Sequence, residues 1–197
     1  MRVLLLALCF IGCCCSADPL DEVRAKFTYN GSPVHPGVVG LFSNWMSDSS
    51  EPQILAVDLS TAQNNNRLDD SSYMKDDAGW VRTKGSDAND RHSIGYRFIG
   101  SLSSGTIVLH VYESGGGSGT FESVMMLAVS AEQAVKIDGG ARTRHVLRVL
   151  RAVPIGDRAR GIVRLDGSTI QIDRSKAHAE DQREPLALID PVEDIRK

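Results

Sequence analysis

Three strand-like segments in close succession constrain this chain more than any other feature. They are residues 93–100 (SIGYRFIG), 106–113 (TIVLHVYE) and 120–129 (TFESVMMLAV). Each is short and rich in β-branched and aromatic residues, and each is bounded by Gly, Ser or Thr. Alternation places Ile94, Tyr96 and Phe98 on one face of the first segment. The connections, 101–105 and 114–119, are short enough for hairpins. The three together predict an antiparallel meander.

The rest of the chain repeats this grammar. Residues 26–29 alternate and run into Asn30-Gly31, a strong tight-turn signal. Residues 53–59 (QILAVDL) form a short apolar run between turn formers and predict a buried strand. Residues 161–173 (GIVRLDGSTIQID) predict a hairpin around Asp166-Gly167. Residues 145–153 (HVLRVLRAV) fit a helical stripe through Val146, Val149, Leu150 and Val153. They equally fit a strand with Thr143, His145, Leu147 and Val149 on one face and Arg142, Arg144 and Arg148 on the other. Valine content and Pro154 favour the strand. Residues 18–25 read as a charged leader, and 37–45 as a strand or packed loop after Pro33 and Pro36. Residues 60–79 and 82–92 read as long polar loops around Trp80-Val81. Ser130-Ala131-Glu132-Gln133 fits a helix capping box, predicting one or two turns up to Ile137.

The expectation is an all-β fold, mainly an antiparallel sandwich or barrel-like meander, with at most one or two short helices. One β-rich domain covers 18–174. A charged tail, 175–197, is expected to be partly ordered at best, with 186–189 (LALI) as a candidate edge strand.

The first seventeen residues, MRVLLLALCFIGCCCSA, place one positive charge, Arg2, before an apolar run and then small residues. This is the layout of a secretory signal peptide, with cleavage expected after Ala17. The run is too short to span a bilayer. All four cysteines lie within these seventeen residues, so a chain starting at Asp18 has none to form disulfides. The expected address is periplasmic or extracellular, in a bacterial cell envelope. Phe10-Ile11-Gly12-Cys13 resembles a lipobox, with Phe10 where leucine is usual. Cys13 is therefore a candidate lipidation site, and a lipid anchor is the only membrane attachment expected.

Without Arg2 the chain carries 21 basic and 25 acidic residues, a net charge of −4. That argues against general nucleic-acid binding. Seven arginines fall within residues 141–164 beside a single acid, Asp157. No aromatic residues interleave with them, so they read as a strand face paired with the acidic N-terminal half.

The stretch 112–121 (YESGGGSGTF) is the most site-like part of the sequence. It fails as a P-loop because no lysine follows its last glycine. It fails as a dinucleotide fingerprint because Thr120 stands where the third glycine belongs. It fails as a nucleophile elbow for lack of the final glycine of Gly-x-Ser-x-Gly. The reading is a hairpin tip whose backbone groups are candidates for ligand contact. The candidate binding residues are Gly115, Gly116, Gly117 and Ser118, with the aromatics Trp45, Trp80 and Tyr112 and, beside them, Phe121.

No catalytic constellation, metal site or cofactor is expected. Ser118, His110 and Asp58 can be drawn as a triad, but no local spacing supports it. His110 reads as a core residue. Asp69-Asp70, Asp76-Asp77 and 87–90 do not complete an EF-hand. The function expected is a non-enzymatic exported domain that binds an envelope protein or ligand. The alternative is a secreted hydrolase with an unfamiliar active site.

Overall fold

The computed structural model describes residues 18–42, 54–63, 72–83, 92–115, 119–157, 161–173 and 186–190. Along the chain these form α1 (Pro19–Lys26), β1 (Thr28–Tyr29), β2 (Ser32–Pro33), α2 (Pro36–Gly40), β3 (Ala56–Asp58) and α3 (Leu59–Ala62). There follow β4 (Tyr73–Lys75), β5 (Trp80–Thr83), β6 (His92–Ser101), β7 (Ile107–Gly115), β8 (Phe121–Val135) and β9 (Ala141–Asp157). The chain closes with β10 (Ile162–Asp166), β11 (Thr169–Asp173) and β12 (Leu186–Ile189). The fold is all-β and antiparallel. Among the described residues only α1 is a helix of more than five residues.

A seven-stranded sheet in the order β3-β9-β8-β7-β6-β5-β4 forms the frame. The expected meander is its centre, with Tyr96 opposite Val111 and Val111 opposite Ser123. One face of the sheet carries Val81, Tyr96, Leu109, Val111, Met125 and Leu127. It packs beneath α1, α2, α3 and the β1–β2 hairpin through Val23, Phe27, Val38, Val39 and Leu59. The other face, through Val108, Val124 and Met126, meets a three-stranded sheet, β10-β11-β12, through Val163, Ile170, Ile172 and Leu188. Two apolar layers therefore sandwich the central sheet, and burial of that area is the main force holding the fold.

Several local expectations are corrected. Residues 18–25 are not a loose leader. Asp18 caps α1 by accepting from the Leu20 amide at 2.9 Å, and Pro19 sits at the first turn. Asp21 and Glu22 near the start and Arg24 and Lys26 near the end suit the helix dipole. The start of 37–45, expected as a strand or packed loop, belongs instead to α2, where the His35 ring accepts from the Gly37 amide at 3.0 Å. The predicted strand at 53–59 shrinks to β3, because Asp58 caps α3 and turns Leu59 into a helix start. The two expected long loops are interrupted by α3, β4 and the ends of β5 and β6. Of their other residues, 64–71 and 84–91 lie outside the described residues.

The capping-box helix at Ser130 does not form. Residues 130–135 extend β8, paired one-to-one with β9 as far as Val135 opposite Ala141. Ser130 and Glu132 point to the same face of a strand, and Glu132 binds Arg144 at 3.0 Å and also Arg148 across the ladder. Cross-strand pairing overrides the local capping signal. The ambiguity of 145–153 has a physical source too. Met126 pairs with Arg151 and Leu127 with Val149, leaving Leu150 as a bulge. One inserted residue breaks the period of two and imitates a helical stripe.

Within the expected tail, β12 pairs with β11 and Asp190 is fully buried. Asp190 accepts hydrogen bonds from the hydroxyls of Ser104 and, at 3.1 Å, Thr106.

Candidate functional site

The face of the central sheet that meets the small sheet is not apolar along its whole length. Two rows of cross-strand neighbours depart from the pattern. One runs Trp80, Arg97, His110, Val124. The other runs Arg82, Gly95, Tyr112, Glu122. Period-two alternation on β5, β6, β7 and β8 puts these side chains on one face.

The Trp80 ring is the hub. The Arg97 Cζ lies 5.5 Å from its centroid. The ring centroids of His110 and Tyr112 lie 5.0 and 5.3 Å away, the latter edge-on. Tyr112 leans across Gly95, where the site of an added Cβ would be 2.4 Å from Tyr112 Cε1. Glycine is required there by close approach, not by backbone angle. Asp76 accepts from the Trp80 amide at 3.0 Å and pairs with Arg82. Burial opposes the Asp76 charge, but those bonds outweigh it and hold the carboxyl below its usual range. Burial pushes the Tyr112 hydroxyl above its ordinary pKa.

Beneath the aromatics, His110 is only 2 % exposed and its Nε2 is 2.9 Å from Glu122 Oε2. A carboxylate only accepts, so this contact assigns the proton to Nε2. Nδ1 is buried and has no hydrogen-bond partner. Glu122 also accepts from the Gly161 amide at 3.3 Å, which ties this face to the start of the small sheet.

The structure thus joins two of the expected site residues, Trp80 and Tyr112. Gly115 ends β7 at the glycine hairpin, and Phe121 opens β8. The hairpin ends are fastened by Ser114 Oγ donating to the Gly119 carbonyl at 3.2 Å and by the Thr120 amide donating to Asp157 at 2.9 Å. Gly116, Gly117, Ser118, Trp45 and Cys13 lie outside the described residues.

Asp58 does not join His110. It sits on β3, separated from β7 by β9 and β8, and is bound to Ser60, Thr61 and Arg142. The carboxylate beside His110 is Glu122. Sequence reasoning missed Arg97 and Glu122 as partners of this cluster. The alternation that exposes them was readable within each strand, but the register that aligns them was not.

Three arginines of the stretch, Arg142, Arg144 and Arg148, lie on a paired strand face, and only Arg142 finds its partner in the acidic N-terminal half. Arg142 reaches Asp58 at 3.1 Å, and Arg144 and Arg148 share Glu132. Burial alone would raise the pKa of Asp58. Hydrogen bonds from Ser60 and Thr61 and the charge of Arg142 bring it below the ordinary carboxylate range. A depressed pKa stabilises the fold above the unfolded value, ~3.9, and that contribution disappears as pH falls through the lower folded value. Asp58→Asn should therefore lower stability at neutral pH by up to about 1 kcal/mol, since the pair is partly solvent-screened. It should also flatten the decline below about pH 4. Urea melts from pH 7 to pH 3 would test this, and parallel pH profiles for the two proteins would refute it.

Among the described residues, no group of three or more His, Cys, Asp or Glu side chains is placed to hold a metal ion. Nor is any described helix long and apolar enough to cross a membrane. In comparisons with protein-family models, curated proteins and solved structures, nothing matches this chain.

Proposed function

We propose that the protein is an exported, non-enzymatic β-domain of the bacterial cell envelope that binds a ligand or partner, and that Trp80, Arg97 and Tyr112 form its recognition face. One observation carries this reading. Trp80 and Tyr112 belong to neither apolar core, yet they are half-buried and locked edge-on against each other. Large aromatics held rigid and partly exposed are the side chains that dominate binding energy. The signal-like N-terminus supports export.

The alternative, hydrolysis, draws on His110, whose Nε2 is oriented by Glu122 as a general base would be. Its burial under Trp80 weighs against it, because a base must reach its substrate.

The test is a capture experiment. Immobilised protein is exposed to fractionated envelope extract, and bound material is quantified for wild type and for Trp80→Ala. Losing an aromatic anchor should weaken capture on the order of tenfold or more. Circular dichroism should show the fold retained. Equal capture by a folded Trp80→Ala variant would remove this face from the function.

A further inference from the structure

Five arginines among the described residues are half-buried: Arg24, Arg82, Arg97, Arg144 and Arg148. Four of them pair with a carboxylate. Arg24 binds Asp21 at 3.2 Å, Arg82 binds Asp76, and Arg144 and Arg148 bind Glu132. Arg97 is the exception. It makes no ion pair with any described carboxylate, and its Nε, like those of Arg82 and Arg144, is buried without a hydrogen-bond partner. Its cross-strand neighbour His110 has a second such nitrogen, Nδ1.

Leaving a buried donor or acceptor unmade is costly, and native proteins keep few of them. Here two fall on directly paired residues under one tryptophan. The two carboxylates of this face do not relieve Arg97, because Asp76 holds Arg82 and Glu122 holds His110. Trp80 fixes the guanidinium by cation–π contact, so its planar fork is oriented before any ligand arrives. A fixed, unpaired guanidinium matches the geometry of a carboxylate or phosphate group.

We propose that Arg97, seated on Trp80, is the receptor for an oxyanion, either a carboxylate or a phosphate, carried by the ligand of this face. This rests on the reading of the face as a recognition surface. The ligand is then an acidic molecule, and Trp80 and Tyr112 contact its less polar body.

The experiment uses the Trp45→Phe chain, in which Trp80 is the remaining tryptophan of two. Inorganic phosphate and acetate are titrated separately against chloride at constant ionic strength, with Trp80 fluorescence as the readout. A saturable change with either anion is expected, and which one responds identifies the oxyanion. Arg97→Gln should weaken it about tenfold or more. Arg97→Lys, which keeps the charge without the fork, should fall between. Arg148→Gln, on the paired strand face, should leave it unchanged. Thermal melts confirm that each variant is folded.

No saturable response to either anion, or equal responses from wild type and Arg97→Gln, overturns the proposal. The capture experiment then separates the two readings. Capture lost in Trp80→Ala but kept in Arg97→Gln leaves the recognition face standing without its oxyanion. Capture kept in both removes the face as well.

Discussion

Replacing Phe27 with alanine should destabilise the protein by about 3–5 kcal/mol, the range for deleting a fully buried phenyl ring. Phe27 is 0 % exposed and sits at the left-handed C-cap of α1. Its ring meets Tyr96 edge-on at 5.0 Å and 88°. Tyr96 in turn donates its hydroxyl to the Val34 carbonyl at 2.5 Å. These contacts join the helical layer to the middle of the central sheet. The loss should exceed that of Tyr96→Phe, which removes one buried hydrogen bond worth about 1 kcal/mol. A Phe27→Ala, Tyr96→Ala cycle should give a coupling of about 0.5–1.5 kcal/mol for the aromatic pair. Urea denaturation measures all of these. A Phe27→Ala cost below about 1 kcal/mol would mean that the layer closes around the gap or is not fixed by this ring.

The second large effect concerns Gly95, and its sign depends on its neighbour. The three atoms nearest an added Cβ there all belong to the Tyr112 ring, at 2.4, 2.8 and 2.9 Å. Gly95→Ala must push that ring off its seat against Trp80, and overpacking of this kind costs about 1–3 kcal/mol. Gly95 does not have a positive φ. Alanine is therefore acceptable to the backbone and reduces the freedom of the unfolded chain. In a Tyr112→Ala background the same change should stabilise the fold by about 0.4–1 kcal/mol. The reversal is the diagnostic result. The same cost in both backgrounds would show that Tyr112 is not what Gly95 accommodates. Gly95→Ala should shift Trp80 fluorescence in the wild-type background and add nothing in Tyr112→Ala, where the neighbouring ring is already gone.

The architecture was legible where local pattern and tertiary demand agree. The central meander, the Asn30-Gly31 turn and the Asp166-Gly167 hairpin are all present. Asn30 and Gly31 both have the positive φ values of such a turn. Legibility failed where a contact distant in sequence decided the outcome. Ser130 and Glu132 look like a helix cap until Arg144 and Arg148 are placed opposite them. Residues 18–25 look like a leader unless Asp18-Pro19 is read as a cap followed by a first-turn proline. The candidate site was half legible. Trp80 and Tyr112 were conspicuous as aromatics. Arg97 and Glu122 gained meaning only from the register of β6, β7 and β8, which no single strand encodes.

The lengths of the outer strands have a consequence for how copies of this protein behave beside one another. The central sheet ends on β3 and β4, each of three residues. A neighbouring chain seeking to extend the sheet finds only a short template on β3 or β4 themselves. One overhang lies on β9, which β3 covers only from Val146 to Arg148, and another where β8 continues past its last pairing with β7, at Leu127 opposite Ile107. There the Arg24 guanidinium donates to the Val129 carbonyl at 3.2 Å. A helix side chain occupies a backbone acceptor just beyond the end of β7, on a stretch that a foreign strand would otherwise use as a template. The outermost strands and the end of β7 thus offer a foreign strand little to pair with, through two short strands and one well-placed arginine.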